Sequence, residues 1–311
     1  MDNKPAITCI ILNWNGAQDT LACLESLTDV SYPHFAILVV DNGSTDDSVK
    51  AIQTAFPDIK LVETGDNLGF AGGNNVGLRH ALAMNADYAL LLNNDTVVDP
   101  DFIGQLVTVA QENDCIGIVG PTIYYHSHPN TIWSAGGAID WRRGWTWMVG
   151  LDEKDKGQFG TTPRPVDFVT GCALMISRRA LESAGFLDER FFMYYEETEW
   201  CVRVARAGFG IRHVPTAHIW HKIAPQAQAV SPFVHYYMTR NRLLFLKATN
   251  AGLMPRLYTL IEYSRTLLSW SLRPRWRVMR GLRRVMLQAI NDYRRRRFGR
   301  AELQTVRRHT I

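Results

Sequence analysis

The run Leu90-Leu-Leu-Asn-Asn-Asp95-Thr-Val-Val-Asp99-Pro100 sets an apolar stretch directly before a polar cluster. The apolar residues read as a strand buried on both faces, and the cluster marks its carboxyl end. Open α/β sheets bind ligands at that edge. A carboxylate such as Asp95 suits Mg²⁺ or Mn²⁺, which take hard oxygen ligands from protein and phosphate. Its chemistry would be to hold a divalent cation against a diphosphate leaving group as the bond breaks. A strand followed by an Asx turn is the other reading of the same residues.

Four further motifs carry chemistry. In Val39-Val-Asp41-Asn-Gly-Ser-Thr-Asp46 a strand-end Asp41 can accept from the imide N–H of a uracil or thymine ring; capping of a following helix by Ser44 or Thr45 is the alternative. In Asn67-Leu-Gly-Phe-Ala-Gly-Gly-Asn-Asn-Val-Gly77 glycines open a helix, where backbone N–H groups can approach a phosphate or base. The GxxGG order is not the GxGxxG of a dinucleotide site, which counts against a nicotinamide dehydrogenase. In Gly185-Phe-Leu-Asp-Glu-Arg-Phe-Phe-Met-Tyr-Tyr195-Glu196-Glu197-Thr-Glu199 three carboxylates follow an aromatic run. They favour a helix N-terminus, and one of them can serve as general base toward an acceptor hydroxyl. Apolar neighbours would raise its pKa to a useful value. Ala217-His218-Ile-Trp-His221-Lys222 offers imidazole for a metal.

The elements needed to position these residues are legible. Ala6 to Leu12, Phe35 to Val40, Lys60 to Glu63 and Tyr88 to Leu92 read as strands. Residues 17–28 and 74–84 between them have helical spacing, the second led in by a glycine-rich turn. Strand–helix alternation at this spacing implies right-handed βαβ units and a Rossmann-like, mostly parallel sheet flanked by helices, an α/β fold. Beyond Cys115 the pattern changes. Ile116–Val119, Ile123–Tyr125 and Phe168–Ile176 read as strands, 136–165 as an exposed loop or hairpin, and Ser177–Ala184 and Glu197–Ala207 as helices closed by Gly185 and Gly208.

The chain of 311 residues is 46% apolar and 21% charged, as expected of a globular protein with a large core. Its five cysteines form no CxxC pair, which speaks against a disulfide framework or zinc site and for a reducing compartment. No signal peptide and no transmembrane helix are expected. The net charge of +4 conceals an asymmetry. Residues 251–311 contain 15 Arg, no Lys and three acids, a net +12, which leaves −8 on residues 1–250. The tail has leucines at helical spacing over 253–268, then Trp270, Trp276 and Arg294 to Arg297. Such a basic amphipathic helix suits an anionic membrane surface; packing on the preceding domain is the alternative. Nucleic acid is not the expected partner, since no RNA- or DNA-binding motif accompanies the arginines.

Taken in order, these motifs resemble family 2 glycosyltransferases of the GT-A fold, in their bacterial rhamnosyltransferase-like branch. The resemblance covers roughly residues 5–250 and rests on Ile11-Leu-Asn-Trp-Asn-Gly16, Val40-Asp-Asn-Gly-Ser-Thr-Asp46, the glycine segment, Leu92-Asn-Asn-Asp-Thr96, Tyr195-Glu-Glu-Thr-Glu199 and Trp220-His-Lys222. It implies an inverting, metal-dependent transfer from a nucleotide diphospho-sugar, dTDP-rhamnose or a UDP-sugar, to a cell-surface glycan or lipid-linked acceptor. The enzyme would sit in the cytoplasm, peripheral on the inner face of the plasma membrane.

By the same resemblance Asp95 and His221 hold the metal, with Mg²⁺ or Mn²⁺ as cofactor. Asn13, Asp41, Asn67, Gly69, Gly72, Asn74, Asn94 and Gly171 contact the nucleotide sugar. Glu197 stands at the base position, with Glu196 and Glu199 as alternatives. Two departures bear on this: Asn93 replaces the first acid of the metal motif, and Glu197 stands where the family has Asp, moving the carboxylate by roughly 1 Å. Trp133, the Gly136-Gly137 turn and the loop Trp141–Trp147 are candidates for acceptor stacking. A non-catalytic nucleotide-sugar-binding protein that recruits partners at the membrane is the rival from another class. The domain division expected is 1–250 for the catalytic domain and 251–311 for an Arg-rich helical tail.

Overall fold

A computed structural model of the chain describes residues 4–223 and 231–302; the last residues of the expected tail, 303–311, lie outside them. The strands are β1 (Ile7–Asn13), β2 (Phe35–Asp41), β3 (Lys60–Glu63), β4 (Tyr88–Asn93), β5 (Thr96–Val98), β6 (Ile116–Tyr125), β7 (His128–Ser134), β8 (Gly137–Asp140), β9 (Trp145–Met148), β10 (Arg164–Pro165), β11 (Ala173–Ser177) and β12 (Gly210–His221). The helices are α1 (Ala17–Thr28), α2 (Ser48–Ala55), α3 (Gly69–Ala83), α4 (Phe102–Ala110), α5 (Arg178–Ala184), α6 (Glu196–Arg206), α7 (Pro232–Ala248), α8 (Leu253–Leu272) and α9 (Leu282–Arg294), with a 3₁₀ stretch at Pro274–Gly281.

One large sheet runs in the order β10-β12-β6-β11-β4-β1-β2-β3, with β5 and β7 paired at its margin. β4, β1, β2 and β3 are mutually parallel, as the strand–helix alternation requires, and β12 runs parallel to β6. β11 enters antiparallel between β4 and β6. The central strands are buried on both faces because helices cover both. Ile10, Leu38 and Leu91 pack on one side with α3, α5, α6 and α7. Cys9, Ile11, Val39 and Leu90 pack on the other with α1, α2 and α4.

Register places the functional motifs side by side. Asn13 pairs with Asp41, and Leu12 with Asn93, so three parallel strands end level at one edge. β11 starts there, with Ala173 opposite Leu92. β12 ends there, with His221 opposite Thr96.

Several local expectations change. The glycine segment is no turn before a helix but the first turns of α3 itself. Gly73 and Gly77 let α3 lie close on β1, where a Cβ would stand 2.4 Å from Leu12 and 2.3 Å from Ile10. Residues 168–172 leave the strand expected there: Phe168 and Val169 are buried in the core, and Thr170, Gly171 and Cys172 line a cavity. Neither Ser44 nor Thr45 caps α2, which starts after Asp47; Ser44 serves the Asp41 network instead. Residues 116–119 and 123–125 belong to one continuous strand.

The tail helices are not detached. Tyr263, Trp270, Leu282, Val285 and Met286 form one cluster with Tyr236 and Tyr237 of α7 and Phe192 of the aromatic run. No helix among the described residues is long and apolar enough to cross a membrane.

Candidate active site

A cavity of about 260 Å³ opens at the ends of β4 and β12. Asn93, Asp95, Gly171, Glu196, Glu197 and His221, scattered between positions 93 and 221 of the sequence, all line it. Of the residues singled out from sequence, these and Trp133 are brought together around one space.

Asp95 and His221 face each other, with Asp95 Oδ1 3.0 Å from His221 Nε2. The backbone ties them together, since the Lys222 N–H donates to the Asp95 carbonyl at 2.8 Å. Neither Asp95 Oδ1 nor His221 Nδ1 makes a well-aligned hydrogen bond, although both are buried. Burial works to keep His221 neutral, but the Cys172 sulfur and the Asp95 carboxylate outweigh it and push its pKa up to about 10. Burial likewise works to raise Asp95, yet the His221 contact holds that carboxyl below its ordinary value. Asp95 and His221 are therefore an oppositely charged pair held together at the strand end. Among the described residues no three His, Cys, Asp or Glu side chains converge in a cage for a metal. With the imidazole deprotonated, Asp95 and the unpartnered His221 Nδ1 fit a hard cation whose remaining ligands come from a diphosphate and water.

Glu196 and Glu197 open α6 and line the same cavity, and Glu196 Oε2 and Glu197 Oε2 are buried without partners. Desolvation raises both, with the charge of Glu197 adding to the rise at Glu196. Glu197 is raised to about 7, burial outweighing the backbone N–H groups at the helix start that lower it. Glu199 is different. Arg203 Nε donates to both of its oxygens at 2.9 Å, and the same guanidinium holds the carbonyls of Ala184 and Phe186. It does not line the cavity. Its carboxylate is committed to joining α6 to the end of α5.

The remaining predicted residues do not line the cavity. Asn13 donates to Asp41 Oδ2 at 2.7 Å and to Ser44 at 3.1 Å, while Ser44 N–H donates to Asp41 Oδ1 at 2.9 Å. Thr20 donates to Asn13 at 2.8 Å and Asn94 Nδ2 lies 2.9 Å from Thr20 Oγ1. Asn67 accepts from Gly69 N–H at 2.8 Å. Gly69 has φ +74° and a Cβ there would meet the Phe192 carbonyl at 2.4 Å, so only glycine fits. Gly72 lies in α3 over Leu68, and Asn74 Nδ2 turns back on its own helix to Phe70 O at 2.9 Å.

Sequence reasoning missed Phe70, which takes the cavity position within the glycine segment. Its ring lies over Gly171, where a Cβ would stand 2.7 Å from it. Trp133 does line the cavity and meets the His221 ring edge-on at 4.7 Å. Trp141 and Trp145 do not: the first stacks on Phe245 and the second bonds Glu262 of α8.

Also missed was the support behind Glu197. Phe192, Tyr194 and Tyr195 have φ of +66°, +69° and +74°, a conformation that L residues resist by roughly 1 kcal/mol each or more. Asn241 of α7 offsets this. Its Nδ2 donates to the carbonyls of Phe191 at 2.8 Å, Met193 at 2.7 Å and Tyr194 at 2.9 Å. Buried Arg240 donates to Asn241 Oδ1 and to the carbonyls of Phe191 and Gly299. The signal in sequence was a run of four polar residues, Thr239-Arg-Asn-Arg242, in the middle of a helix that buries all four.

The family profile of glycosyl transferase family 2 matches residues 8–185. The chain is 29% identical over 240 residues to the low-salt glycan biosynthesis hexosyltransferase Agl10 of Haloferax volcanii, covering 76% of this chain and 74% of that one. It is 26% identical to the dTDP-rhamnosyl transferase RfbF of Shigella flexneri, covering 80% and 82%. It is 28% identical to the N-acetylglucosaminyl-diphospho-decaprenol L-rhamnosyltransferase of Mycobacterium tuberculosis, covering 64% and 70%. In fold it is similar to the mannosyltransferase PcManGT of Pyrobaculum calidifontis, solved with GDP-Man and Mn²⁺, with a TM-score of 0.58 at 15% identity over 95% of this chain and 89% of that one. These likenesses agree with the GT-A architecture of strands ending level around one cavity, and the chain belongs to glycosyl transferase family 2.

Proposed function

We propose that this glycosyltransferase moves a sugar, with inversion, from a nucleotide diphospho-sugar to a hydroxyl of a lipid-linked or cell-surface glycan. The observation that carries the reading is one cavity of about 260 Å³ lined both by a desolvated Glu197 carboxyl and by Asp95 with His221. An attacking hydroxyl and a departing diphosphate on opposite sides of the sugar are the geometry of a single displacement with inversion.

In this mechanism Glu197 takes the proton of the acceptor hydroxyl as it attacks the anomeric carbon. A pKa of about 7 leaves it both ionised and basic at neutral pH. Burial and the neighbouring Glu197 also push Glu196 well up, which disfavours a second charge beside the base. Asp95 and His221 would hold Mg²⁺ or Mn²⁺, which supplies charge neutralisation for the departing diphosphate. Asn13 and Ser44 orient Asp41 for a pyrimidine imide. Phe70 over Gly171 shapes the floor on which the donor sugar rests. The relatives favour dTDP-rhamnose as donor and a diphospho-lipid as acceptor, which suits an enzyme working in the cytoplasm against the inner membrane face.

The test is nucleotide release by the purified protein, offered dTDP-rhamnose, UDP-glucose, UDP-galactose and UDP-GlcNAc with Mn²⁺, Mg²⁺ or EDTA, with and without a lipid extract. Metal-dependent release from one donor is expected, lost in Glu197→Gln and reduced about 10²–10³-fold in Asp95→Asn. Binding of a donor with no turnover under any condition favours the non-catalytic recruiting protein instead.

A further inference from the structure

We propose that α8 and the 3₁₀ stretch after it form a docking surface for an anionic phospholipid bilayer, with an arginine-lined groove that grips lipid phosphate. This deepens the membrane association in the proposed function by naming its site.

The helix has two faces of opposite character. Pro255, Thr259, Tyr263 and Trp270 are buried toward α7 and α9. On the other side Leu253, Leu257, Leu260, Ile261, Leu268 and Leu272 recur at the i, i+4, i+7 spacing of one helical face. They are 44–75% exposed. A helical face of six aliphatic residues in water is a surface built for another apolar phase.

Charge selects the phase. Beside this stripe runs a groove of about 520 Å³ lined by Arg265, Arg273, Arg275, Trp145, Trp270 and Trp276. None of the three arginines has an ion pair among the described residues. The one carboxylate in the groove, Glu262, is occupied by Arg242 at 2.9 Å and by Trp145 Nε1 at 2.8 Å. Unpaired guanidinium groups bind phosphate oxygens, and indole rings settle at the boundary between headgroups and acyl chains. An apolar stripe and a cationic, Trp-lined groove on one helix together match the cross-section of an anionic bilayer surface.

The placement also serves catalysis. β9 runs from Trp145 in the groove to Met148 in the catalytic cavity. Three residues of strand span roughly 10 Å. Docking therefore holds the cavity about one sugar-diphosphate length from the headgroup layer, where the end of a lipid-linked acceptor would lie.

Full-length protein is floated with vesicles of pure phosphatidylcholine or of phosphatidylcholine with 30% phosphatidylglycerol, at low and high salt. Binding to the anionic vesicles alone, weakened by salt, is expected. Combined Arg265→Gln, Arg273→Gln and Arg275→Gln should lower vesicle affinity about 100-fold. Leu257→Gln with Leu268→Gln should lower it without changing the salt dependence. All these side chains lie outside the catalytic cavity, so donor hydrolysis in solution and the melting temperature should stay as in wild type. That activity readout keeps failure of docking distinct from failure of the enzyme reading. Equal binding to both vesicle types, or unchanged binding by the arginine variant, overturns the proposal. So does quenching of tryptophan fluorescence by inorganic diphosphate or by single-stranded RNA when anionic vesicles give none.

Discussion

Replacing Glu197 by Gln separates the electrostatics of this site from its chemistry. Glu197 rises from an ordinary 4.5 to about 7 because burial penalises its charged form. A shift of that size corresponds to about 3 kcal/mol between folded and unfolded chains at 1.36 kcal/mol per unit, and water entering the cavity face reduces it to about 1–3 kcal/mol. The sign follows from linkage. Below pH 4.5 both states keep the proton and the group has no effect. Between 4.5 and 7 the unfolded chain releases its proton while the folded chain holds it, so stability falls as pH rises. Above 7 the loss is complete.

Glu197→Gln has no proton to lose. Urea unfolding should find the two proteins alike near pH 4.5 and the variant about 1–3 kcal/mol more stable at pH 8.5. Over the same range wild-type nucleotide release should climb through pH 7 as the base ionises, while the variant stays inactive throughout. A stability difference that is constant with pH, or larger at the acidic end, would refute a desolvated carboxyl at 197 and remove the argument for its basicity.

The neighbouring positions give sharper contrasts. Glu199→Gln should keep donor affinity and most activity but lose about 1–3 kcal/mol of stability, because it leaves Arg203 without its carboxylate; thermal melts and initial rates decide this. Asn241→Ala removes three bonds to the strained 191–194 backbone. It should lower kcat roughly 10–100-fold with the donor KM unchanged, and Asn241→Asp should not restore it, since a carboxylate cannot donate to carbonyls. Gly171→Ala places a methyl 2.7 Å from the Phe70 ring and should raise the donor KM about 10-fold. Adding Phe70→Leu should recover most of it, and a double-mutant cycle measures the coupling.

Much of this site was visible in the chain because it lies where short-range rules hold. Runs such as Phe35 to Val40 and Tyr88 to Leu92 are strands by composition, and a polar residue that halts a buried run marks its end. Asp41 and Asp95 were found in that way, and so was the carboxylate cluster at the start of α6. The α/β class followed from the alternation of these strands with helical spacing.

Tertiary structure decided what spacing cannot express. Three carboxylates within four residues point in different directions on a helix, so 100° of rotation per residue sends Glu197 into the cavity and Glu199 to Arg203. Antiparallel insertion of β11 brings Gly171 to the edge formed by three parallel strands, and no local pattern encodes that choice of neighbour. Phe70 displaced the glycines as the cavity residue because α3 begins one turn earlier than its pattern suggests. The tail's arginines and leucines were evident from composition. Only packing against α7 determined which of its faces is covered and which is left to solvent, since burial depends on partners distant in the chain.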